Sequence, residues 1–331
     1  MASKSSTKFV VYAALLGNLL VAATKTTAAM LTGSSAMMSE AVHSFVDTGN
    51  EVLLLYGMHR SARRPDPEHP LGHGRELYFW SFIVALLVFA LGAVVSIYEG
   101  IHHVRQPEPI TDPLISYVVL ALALAFEGTS WVFSVRQFIA AKGQFGFYEA
   151  FRRSKDPTSF TVFFEDSAAL LGIFIAAAGT YVATSMGIEV ADGVASILIG
   201  LVLAATATLL ARESKSLLIG ERADRSIGES ILRLTREVSP GLQTNGLFTV
   251  QLAPEQIVAV LSLEFADDAR APEIEEQVTA IERKVRDTHP EVVALFVKPQ
   301  TRKGYEEGIG RNLRDPGSGF TAAADPPASH G

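Results

Sequence analysis

Six long apolar blocks occupy the first two thirds of the chain, and nothing else in the sequence constrains its fold as strongly. A bilayer-spanning helix needs roughly 20 mostly apolar residues. Residues 9–31, 36–58, 78–101, 113–138, 160–182 and 190–211 all have that length and character. Only 19% of the 331 residues are charged and 48% are hydrophobic, and the apolar ones come in blocks rather than at amphipathic spacing. Lys4 and Lys8 precede an apolar run of spanning length with no small-residue cleavage pattern, which predicts a first transmembrane helix and not a signal peptide.

The connections alternate in charge. Residues 32–35, 106–112 and 183–189 contain no Lys or Arg. Arg60, Arg63, Arg64 and Arg75 lie between blocks two and three, and Arg136, Lys142, Arg152, Arg153 and Lys155 between four and five. Arg212, Lys215, Arg222 and Arg225 follow block six. The positive-inside rule then puts both termini in the cytoplasm, with a plasma (inner) membrane as the expected setting.

Past about residue 220 the pattern becomes that of a soluble domain. Residues 226–238 show helical apolar spacing, 248–252 and 256–265 are rich in Val, Ile and Leu as strands are, 272–288 is a charged amphipathic helix, and 292–297 is a closing strand. The expected fold is an α-helical membrane protein: six transmembrane helices in residues 1–219, then a cytoplasmic α+β domain of order α-β-β-α-β in 220–300. Gly, Pro, Ala and Ser dominate 301–331, which predicts a disordered tail.

Ionisable residues at bilayer depth usually mark ion or proton paths. Block two holds His43, Asp47 and Glu51 at i, i+4 and i+8, one helix face. Block four holds Glu127 and block five Glu165 and Asp166. At about 1.5 Å per residue, Asp166 and Glu127 lie roughly 12 Å, and Asp47 about 15 Å, from their cytoplasmic helix ends. Lys25 in block one is an available partner for one such acid. The chain has no cysteine, so disulfides and thiolate sites are excluded and any metal must be held by His and carboxylates. That donor set suits Zn²⁺ and also takes Mn²⁺, Fe²⁺ or Co²⁺. A net charge of −7 argues against a nucleic-acid partner. With no nucleophile constellation and no phosphate-cradling glycine loop, an enzyme is not expected.

Residues 37–57, MMSEAVHSFVDTGNEVLLLYG, followed by 70–76, PLGHGRE, resemble the cation diffusion facilitators, and among them the branch that includes zinc transporter nine. The resemblance covers about residues 9–298. It implies a homodimeric, proton-coupled exporter of a divalent metal, with a ferredoxin- or metallochaperone-like cytoplasmic domain and Zn²⁺ as substrate rather than cofactor. Carried over by position, the membrane site falls on His43, Asp47 and Asp166. The fourth family position is Val162, which cannot ligate. Glu165, Glu51, Glu127 or water can supply the missing oxygen, and Glu127 is a candidate proton carrier. A second family site falls on Asp66, His69 and His73, with Glu68 able to replace Asp66. Arg75 and Glu221 fall near a family charge pair. The cytoplasmic domain departs most, since His289 is its only histidine. Asp267, Asp268, Glu273, Glu275 and Glu276 look like a solvated face, so the domain is expected to dimerise without a binuclear zinc site. The competing expectation is a metal-binding membrane sensor or scaffold that moves no ion.

Overall fold

The computed structural model describes residues 4–142, 146, 155–312 and 321–322; Arg152 and Arg153 of the fourth connection lie outside them. The chain divides into two compact units, Met1–Arg63 with Glu76–Lys215, and Arg64–Arg75 with Ser216–Gly331.

Among the described residues the elements of the first unit are helical: α1 (Lys4–Thr32), α2 (Ser35–Ser61), α3 (Glu76–Leu87), a π-helical turn (Val88–Ala93), α4 (Val94–Arg105), α5 (Pro113–Lys142), α6 (Pro157–Ser185) and α7 (Val190–Ile219). Among the described residues, five stretches are long and apolar enough to cross a membrane: Leu15–Thr32, Glu76–Arg105, Pro113–Arg136, Phe160–Ser185 and Val190–Ile219. The 27-residue α2 is long enough, but Glu40, Asp47, Glu51 and Arg60 dilute its hydropathy. Its faces are inverted relative to a soluble helix. Glu40, His43, Ser44 and Asn50 are buried, while Phe45 is 62% and Val52 48% exposed. α2 packs against α1, α3, α4 and α6, so its polar face has a helical neighbour on several sides.

The start of α2 is fixed with unusual care. Gly33 turns the chain with φ +70°, a value that favours glycine. Ser34 caps the helix by accepting from Met37 N at 3.1 Å. The buried carboxylate of Asp192, in the first turn of α7, accepts from Ser34 Oγ at 2.6 Å, Ser35 N at 2.5 Å and Ala36 N at 3.3 Å. Donors left open at the helix N-terminus are thereby satisfied from another helix, which sets the position of His43 and Asp47 further along. Close packing of α4 on α7 depends on glycine: a Cβ on Gly100 would stand 2.7 Å from the Gly193 carbonyl oxygen.

The second unit holds α8 (Arg225–Val238), β1 (Gln243–Ala253), β2 (Gln256–Glu264), α9 (Ala271–Thr288), β3 (Val292–Pro299), α10 (Arg302–Asn312) and β4 (Thr321–Ala322). The sheet order is β3-β2-β1-β4; β1 and β2 form an antiparallel hairpin and β3 returns parallel to β2 across α9. Ile257, Ala259, Leu261 and Leu263 are buried at every second position of β2 and pack with Ile231 of α8 and Ile281 of α9. The expected α-β-β-α-β order is present. The expected disordered tail is corrected at its start, where 302–312 is helical. Its composition hid a helix closed by a local Arg302–Glu306 pair at i, i+4 and anchored by Arg302 N bonding Glu264. The rest of the expected tail, apart from β4, lies outside the described residues.

Candidate metal centre

His43 is buried at 1% exposure on the inward face of α2, and Asp47 lies one turn on. His43 Nδ1 stands 3.4 Å from Asp47 Oδ1. Neither ring nitrogen nor that oxygen has a hydrogen-bond partner among the described residues. Buried polar atoms are nearly always bonded, so unpartnered ligand-type atoms one helical turn apart are a signal in themselves.

α6 supplies two acids at different angles. Glu165, 6% exposed, accepts from Asn50 Nδ2 of α2 at 2.8 Å. Asp166 Oδ2 accepts from Ser130 Oγ at 3.1 Å and Ser134 Oγ at 2.7 Å, both on α5. Val162, the non-ligating family position, is half-buried one turn before Asp166. Asp47 lies within electrostatic reach of Glu165, Glu127, Lys25 and Asp166. The expected residues therefore share one neighbourhood, yet beyond the 3.4 Å approach of His43 to Asp47 the three residues His43, Asp47 and Asp166 do not close into a group with all ligand atoms within 4.8 Å of one another. Among the described residues, the group of three whose ligand atoms lie within 4.8 Å of each other is the loop trio. Glu51 is engaged by the Asn18 amide of α1. Glu127 is 3.7 Å from Lys25 Nζ.

Several residues of this neighbourhood were not singled out in the sequence. Glu40, buried at 0%, pairs with Lys25 at 3.1 Å, and Ser44 accepts from the same ammonium at 2.8 Å. Glu40 was findable as one more acid in an apolar run. Asn50, Ser130 and Ser134 carry no signal in composition, because uncharged polar residues are ordinary in helices.

The loop trio is the tighter cluster. His69 Nδ1 is 3.1 Å from Asp66 Oδ1 and His73 Nε2 is 3.0 Å from Asp66 Oδ2, with the two rings 4.3 Å apart. The backbone N–H groups of Glu68 and His69 also donate to Asp66 Oδ1, at 3.0 and 2.7 Å. The His69 backbone bond first, then His73, hold the Asp66 carboxyl down at about 2. Glu68 contributes its backbone here and is not one of the three clustered side chains. In the second unit, His289 meets Glu291 at 3.0 Å and Ser230 at 2.8 Å, and Asp267, Asp268, Glu273, Glu275 and Glu276 are all exposed. Glu221 accepts from Ser216, and the Arg75 guanidinium lies beside Gly220.

Residues 11–219 match the model of the cation efflux transmembrane domain. The chain is 38% identical over 208 residues to the proton-coupled zinc antiporter SLC30A9, mitochondrial, of Xenopus laevis, covering 62% of this chain and 36% of the relative. The human protein of that name is 36% identical over the same share. Metal tolerance protein C4 of Arabidopsis thaliana is 32% identical over 228 residues, 68% of this chain and 50% of the relative. The chain thus matches about a third to a half of the length of these relatives. The names also overturn one expectation. The plasma (inner) membrane, and the cytoplasmic placing of the termini that went with it, give way to relatives named as mitochondrial. Charge asymmetry assigns basic loops to one side of a membrane, but it does not say which membrane.

Proposed function

Since the chain belongs to the cation efflux family, in the zinc transporter nine-like branch, we propose that it carries a divalent transition-metal ion, Zn²⁺ foremost, across a membrane in exchange for protons. The family is one of transporters and not of enzymes. The observation that carries the reading is the pair of buried His43 and partly buried Asp47, unpartnered among the described residues at three ligand-type atoms, on a helix whose apolar side faces outward. α2 is then the sixth span, tolerated in lipid because its polar residues face other helices. By the relatives' names, the membrane is a mitochondrial one.

Metal enters from the side of the basic loops, binds His43, Asp47 and Asp166 with a fourth oxygen from Glu165, and leaves on the other side after the helices rock. Binding needs a neutral imidazole and ionised carboxylates. Protons and metal therefore compete for one set of atoms, and their flows are coupled. Asp66, His69 and His73 form a second metal site, and the second unit is a metallochaperone-like domain through which two copies associate.

The test is ion uptake into proteoliposomes under a pH gradient, with Zn²⁺, Mn²⁺, Fe²⁺ and Co²⁺ in parallel. His43→Ala and Asp47→Ala should each abolish flux in protein that still runs as a folded species. Undiminished flux in both variants would falsify the site. The second reading, a sensor or scaffold, draws on Val162, and it predicts metal binding with no flux of any ion.

A further inference from the structure

Lys25 of α1 is wholly buried, and its ammonium has three hydrogens to place. Two directions lead to α2: Glu40 Oε2 at 3.1 Å and Ser44 Oγ at 2.8 Å. In the third direction Glu127 Oε1 of α5 stands 3.7 Å away, an ion pair without a hydrogen bond. A buried lysine needs one carboxylate to neutralise it, and the equally buried Glu40 does so. Glu127 is surplus to that need. It also acts on Asp47, Asp166 and Glu51 through its charge. One fixed cation therefore sits between a close partner on α2 and a looser one that belongs to the acidic set around His43 and Asp47.

We propose that Lys25 is a tethered counter-cation of the transport path: it holds Glu127 in the empty protein, yields it to a divalent ion bound at His43 and Asp47, and favours the ion's release by reclaiming it. This rests on the transport reading above and adds the residue that limits how tightly the ion is held. An ammonium and a metal dication compete for the same carboxylate charge, and in a low-dielectric interior like charges repel one another more than in water. The lysine cannot diffuse away, so its repulsion acts on every ion that binds. A path that must both take up and discharge an ion needs such a limit, because an ion held too well does not leave.

The experiment combines Zn²⁺ titration calorimetry on the full chain in detergent with Zn²⁺ flux in proteoliposomes. Lys25→Met together with Glu40→Gln removes both members of the buried pair, so neither charge is left uncompensated. That double variant should bind Zn²⁺ about tenfold more tightly than wild type, with KM and maximal flux falling together. Glu127→Gln, which leaves Lys25 bonded to Glu40 and Ser44, should weaken Zn²⁺ binding about tenfold. A folded double variant with wild-type affinity and KM would make Lys25 a mere tie between α1 and α2 and overturn the proposal. Unchanged affinity in Glu127→Gln would overturn it equally, and that variant decides the matter if the double variant does not fold. Wild-type protein that binds Zn²⁺ but moves none would sink the transport reading alone, since the affinity ratios would still decide the role of Lys25.

Discussion

Asn50 of α2 donates its amide N–H to Glu165 of α6 at 2.8 Å, joining the two helices that carry the expected ligands of the membrane site. The bond lies three residues past Asp47, nearly one helical turn, and it turns Glu165 toward α2. Glu165 is thus a better candidate for the missing oxygen than its position about 100° from Asp166 suggests. Glu165→Gln is expected to weaken Zn²⁺ binding by at least about tenfold. Adding Val162→Asp to that variant restores the family's pair one turn before Asp166 and should recover most of the loss. Calorimetry on the three proteins checks this, and Glu165→Gln with wild-type affinity would remove Glu165 from the site.

Ser130 and Ser134 lie one turn apart on α5 and both donate to Asp166 Oδ2. Groups that orient a ligand in this way typically matter about 10–100-fold in metal affinity. Replacing both by alanine should cost that much in Zn²⁺ binding while leaving the fold intact, because each loss is one hydroxyl. The KM for Zn²⁺ flux should rise in step. An unchanged KM would mean that Asp166 is held by packing alone.

The loop trio should not respond to mild acid through its carboxylate. Asp66 titrates at about 2, below its ordinary value near 3.8. A depressed carboxyl contributes stability that is complete above the ordinary value and fades as pH falls toward 2. Between pH 5 and 8 Asp66 therefore stays ionised, so any metal lost from the loop in that window is not lost through this carboxylate. In a His43→Ala, Asp47→Ala background, Zn²⁺ bound per chain should fall between pH 7.5 and 5.5. Asp66→Asn should have lost it already at pH 7.5. Full occupancy of the parent at pH 5.5 would exclude His69 and His73 as ligands.

The helices were legible in the sequence because spanning length and apolarity coincide, yet the apolar blocks undercount them at their ends. The block at 78–101 is a helical stretch over 76–105, and that at 190–211 runs to Ile219. Hydropathy stops at the first charges, whereas backbone hydrogen bonding continues until something such as Gly220, at φ +111°, ends it. On α2, His43 and Asp47 were visible from their spacing alone, since i and i+4 share a face whatever the surroundings. The partners were not. Asn50 and Glu165 are 115 positions apart, Ser34 and Asp192 are 158, and such pairings are decided by how helices pack. In the second unit the alternation in β2 showed its buried face, but the parallel return of β3 depends on α9 crossing the sheet, which no local pattern specifies.

The contact between Gly246 of β1 and Tyr305 of α10 gives the last test. Tyr305 packs its hydroxyl end where a side chain on Gly246 would stand, and burial raises its pKa above the ordinary tyrosine value. Gly246 has no unusual φ, so what it supplies is room and not backbone freedom. Gly246→Val suits a strand by its β-branched shape and keeps the β1–β2 ladder. It must however push the tyrosine ring out, and α10 loses that anchor. Amide hydrogen exchange across 302–312 should then become faster by about tenfold, as for a local loss of about 1.4 kcal/mol, with β1 and β2 unaffected. Tyr305→Ala should give the same result from the other partner. If exchange in 302–312 were unchanged in both variants, α10 would be held by its Arg302–Glu306 pair and the bond from Arg302 N to Glu264, and the glycine would answer only to the strand.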